Sequence, residues 1–127
     1  MLVEVETAGG LVGWGEAFGP ATISAAVVDH LAPLLIGKDA LATDLHWQTM
    51  YNALRDHGQR GGAIDGLSAI DIALWDIRGK HFDAPVSVLL GGPLRGEVAD
   101  AIAYARASAD LHLRWFEEPV IPEDLAG

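Results

Sequence analysis

Two adjacent carboxylates, Glu117 and Glu118, stand near the end of the chain in the run RWFEEPVIPEDLAG, immediately before Pro119. Read as an extended strand, the run puts Leu113, Trp115 and Glu117 on one face and Arg114, Phe116 and Glu118 on the other. One carboxylate then faces inward among bulky apolar neighbours. The C-terminal end of a buried parallel strand is where barrel enzymes keep metal ligands and acid–base groups. A solvated strand end ahead of a proline-containing loop has the same spacing, and the residues alone leave both readings open.

Other groups could contribute. Glu16 closes the segment GWGEA beside two glycines, as a substrate contact or as an ordinary surface glutamate. Arg55, His57 and Arg60 gather in RDHGQRGG, where arginine forks could grip an anionic substrate or simply be solvated. Asp71 borders the apolar stripe of a helix, so partial burial would demand a hydrogen-bond partner. A structural salt bridge, with an arginine as the candidate, fits it better than catalysis. The five histidines, His30, His46, His57, His81 and His112, show no metal-ligand spacing. No phosphate-binding glycine loop or nucleophile elbow occurs.

These groups need a scaffold. Residues 2–7 alternate apolar and polar, Gly9 and Gly10 turn the chain, and residues 11–17 continue extended, which predicts a hairpin. Pro20 suits the first turn of a helix over 21–37 carrying Ile23, Val27 and Leu31, which Pro33 shortens. A second helix over 40–56 places Leu41, Leu45, Met50 and Leu54 on one side. The strongest helix covers 63–80, with Ile64, Leu67, Ile70, Leu74 and Ile77 as its stripe and Asp76 paired to Lys80. A short helix begins at Pro85 and closes at Gly91 and Gly92, and residues 98–105 read as a strand. The order predicts an α+β fold, with something new beginning near residue 98.

Composition narrows the function. Of 127 residues, 50% are apolar and 20% charged, enough to bury a core and against disorder. A net charge of −10 argues against nucleic acid or anionic membrane as a partner. Asp29, His30 and Pro33 interrupt the longest apolar stretch, and Glu4 and Glu6 stand where a signal peptide would be basic and then apolar. The absence of cysteine suits a reducing cytoplasm.

Four segments, GWGEAFGPA, YNALRDHGQRGG, AIDIALWDIRGKHFDAPVSVLLGG and WFEEPVIPEDLAG, stand in an order that resembles the mandelate racemase/muconate lactonising branch of the enolase superfamily. The first two look most like the D-galactarolactone cycloisomerase subgroup, which acts on acid-sugar lactones. The resemblance implies an α+β capping domain over residues 1–97, entered late, and a remnant of a TIM-like barrel over residues 98–127. It implies Glu117 as one of three Mg²⁺-binding carboxylates, with Glu118 not a ligand. The family's lysine base motif, its other two metal carboxylates and its histidine base have no counterpart in these 127 residues. Three βα units of some 30 residues would account for on the order of 90 of the residues missing between the two pieces.

The chemistry so implied is removal of a proton next to a carboxylate, with Mg²⁺ holding the enediolate. Mg²⁺ wants near-octahedral oxygen ligands, so a lone glutamate should bind it weakly or not at all. The expectation is a catalytically silent fragment of a cycloisomerase or dehydratase, with no catalytic residue assigned and no substrate-binding residue identified. Two alternatives stand beside it: a non-catalytic interaction or oligomerisation module, and one half of a split enzyme completed by self-association or a complementary chain.

Overall fold

The structure, a computed structural model, describes residues 1–56, 58–92, 102–103 and 106–107. The chain divides into two compact units, Met1–Leu89 and Leu90–Gly127. In the first, strand β1 (Leu2–Glu6) pairs antiparallel with β2 (Val12–Glu16), with Leu2 opposite Glu16, Glu4 opposite Trp14 and Glu6 opposite Val12. Helix α1 (Ala21–Leu31) follows, then a 3-10 turn at Ala32–Leu34, α2 (Thr43–Ala53), the long α3 (Gly62–Phe82) and the short α4 (Val86–Leu89). This is the α+β order expected from the sequence.

The hairpin is set by its turn. Thr7 donates its amide to the Leu11 carbonyl at 2.9 Å, Gly10 donates to the Thr7 carbonyl, and Gly10 takes φ +80°. That is a three-residue connection with glycine at its left-handed position. Pro33 does what its ring requires: α1 ends at Leu31 and a single 3-10 turn continues.

Helix α3 is the spine. At 1.5 Å per residue its 21 residues span about 31 Å. Leu67, Ile70, Leu74 and Ile77 are buried as their spacing predicts, while Ile64 is half-buried. A second buried row of small residues, Gly66, Ala69 and Ala73, lets other elements approach its backbone. On β2 the glycines two apart, Gly13 and Gly15, face that row. A Cβ on Gly13 would collide with the Ala73 carbonyl, and one on Gly15 with the Ala69 carbonyl. Farther along α3, a Cβ on Gly66 would stand 2.7 Å from the Val27 side chain of α1. Strand and helix therefore touch backbone to backbone, and β2 has no room for a side chain on that face.

Two sequence expectations are corrected. Helix α2 presents Thr43, His46 and Met50 to the core, joined by Leu54 just beyond its end, while Leu45 is 64% exposed. Two polar residues occupy inward positions because each has a partner: Arg78 donates to Thr43 Oγ1 at 2.8 Å, and His46 Nε2 lies 2.7 Å from the Asp39 carbonyl oxygen. The stretch 98–105, which alternation marks as a strand, is helical at its described residues, Ile102 and Ala103. No helix among the described residues is long and apolar enough to cross a membrane.

Candidate functional site

The carboxylate pair that carries the metal reading, Glu117 and Glu118, lies outside the described residues, as do His57 and His112. The remaining candidates can be placed, and they do not converge. Among the described residues no three His, Asp or Glu side chains come close enough to hold a metal ion. The described donors therefore do not fit Mg²⁺, and no step of a reaction can be routed through them.

Glu16 ends β2 on the exposed face of the hairpin, opposite Leu2. His30, at the last turn of α1, borders an open apolar groove of about 630 Å³ with Ile23, Val27, Leu54 and Ala63. His46 is buried and structural. His81 packs edge-on against Phe82 with ring centroids 4.8 Å apart. Arg55 and Arg60 are exposed, and Arg55 lies 3.8 Å from the exposed Asp56. Their loop is tied down by Gln59, which donates to the Tyr51 carbonyl at 2.9 Å.

Two aspartates on α3 have contrasting environments. Asp76 accepts from Lys80 at 2.7 Å and from the Trp14 amide at 2.9 Å, while Lys80 also donates to the Val12 carbonyl at 2.9 Å. The pair expected from the i,i+4 spacing is thus also the clamp that fixes the outer edge of β2 to α3. Burial pushes the Asp76 carboxyl upward, but the Lys80 hydrogen bond, the Trp14 amide and the Lys80 charge outweigh it and hold the group below its usual value. The clamp's reach to β2 was not readable from sequence, since it needs the hairpin laid against α3.

Asp71 is half-buried, as its place beside the apolar stripe implies, yet the salt bridge expected for it is not formed among the described residues. Its Oδ1 is shielded from solvent without a hydrogen-bond partner there. Burial, and secondarily the negative charge of Asp44, push its carboxyl above the ordinary value. Ser24 Oγ on α1 is likewise buried without a partner among the described residues. Among the described residues Asp71 belongs to no metal-binding group.

Known proteins place this scaffold. Residues 1–91 match the N-terminal domain of the mandelate racemase/muconate lactonizing enzyme family. D-galactarolactone cycloisomerase of Agrobacterium fabrum is 54% identical over 108 residues, covering 85% of this chain and 28% of that protein. D-galactonate dehydratase of Klebsiella pneumoniae is 43% identical over 102 residues, covering 77% of this chain and 26% of its own length. Among solved structures, the 3,6-anhydro-D-galactonate cycloisomerase of Zobellia galactanivorans superposes with a TM-score of 0.71 at 36% identity, over 83% of this chain and 34% of that one. The chain spans about a quarter of the length of the curated relatives it matches.

Proposed function

The chain belongs to the mandelate racemase/muconate lactonizing enzyme family, and from that premise we propose that it is the capping part of an acid-sugar cycloisomerase or dehydratase, without catalytic activity alone. The observation that supports the capping role most is the match of residues 1–91 to that family's N-terminal domain. In this reading residues 1–97 form the cap and residues 98–127 belong to the barrel domain. Glu117 is one ligand of a Mg²⁺ site whose other carboxylates and bases lie outside the 127 residues. Mg²⁺, when held by a full ligand set, offsets the charge that builds on a substrate carboxylate as its neighbouring proton leaves.

The names of the relatives point to sugar acids and their lactones as substrates, with D-galactarolactone first because that relative is 54% identical. A chimera tests the capping role. Residues 1–91 replace the matching segment of the Agrobacterium fabrum cycloisomerase, and turnover of D-galactarolactone is measured for the chimera and for the 127-residue chain. We expect the chimera to retain turnover within about tenfold of its parent and the chain alone to show none. A folded but inactive chimera would overturn the capping role. Turnover by the chain alone would overturn its silence, and a stable, monodisperse oligomer of the chain that leaves the chimera inactive would select an interaction module instead.

A further inference from the structure

We draw no further inference here: the strongest candidate, the open apolar groove of about 630 Å³ along α1 bordered by Ile23, Val27, Leu54 and Ala63, carries none, because nothing in the structure shows what covers it.

Discussion

Asp71 and Asp76, five residues apart on one helix, show how little a residue's type says about its state. Asp76 finds Lys80 and a backbone amide, and its carboxyl is held low. Its contribution to stability is present above the unfolded value of 3.8 and is lost as pH falls through the lower folded value. Asp71 has the opposite sign. Its folded carboxyl is raised above 3.8, so ionisation costs more in the native chain than in the unfolded one. That cost grows as pH rises from 3.8 through the raised value and is complete above it. Asp71→Asn should therefore raise the melting temperature at pH 7, with a gain on the order of 1 kcal/mol or less, and leave it nearly unchanged at pH 3. Melting curves at the two pH values check this; a loss of stability at pH 7 would mean that the carboxylate has a partner. The sequence made Asp71's partial burial legible because the apolar stripe locates the helix face. Its lack of a partner among the described residues was not legible, since that depends on how α2, which carries Asp44, packs against α3.

At the scale of elements, the fit of β2 on α3 decides the architecture. The hairpin and the α3 stripe could be read directly, one from alternation around Gly9 and Gly10, the other from five apolar residues at helical spacing. The reason for Gly13 and Gly15 could not, because a glycine that admits a neighbouring backbone looks the same in sequence as one that only loosens a strand. Gly15→Ala should cost about 1–3 kcal/mol or more in a urea unfolding series, as expected of overpacking against an immovable carbonyl. Gly9→Ala is the control: a Cβ there meets only Thr7 Oγ1, at 3.9 Å, and should change stability by less than about 0.5 kcal/mol. Equal effects at the two positions would dissolve the claim of direct strand–helix contact. The α2 face was misread for a related reason. Leu45 has the more apolar side chain, but Thr43 and His46 have inward partners that satisfy them, and Met50 and Leu54 fix the rotation of the helix.

At the scale of the whole molecule, four ordered segments pointed to the family, and the match over residues 1–91 bears that out. Helix at Ile102 and Ala103 departs from the strand expected there; a short alternating run such as VADAIAYA also satisfies a helix, with its alanines favouring one. Function was legible only as chemistry of relatives. Glu117 stands outside the described residues, and the described carboxylates are spread over both strands, α1, α2, α3 and the turns between them without gathering into a metal-binding group. In the proposed reading, these 127 residues do not by themselves assemble a site for a divalent ion. Isothermal calorimetry of the purified chain with MgCl₂ tests it most directly. The expected result is no saturable heat below millimolar Mg²⁺; a stoichiometric, micromolar isotherm abolished by Glu117→Gln would contradict this reading.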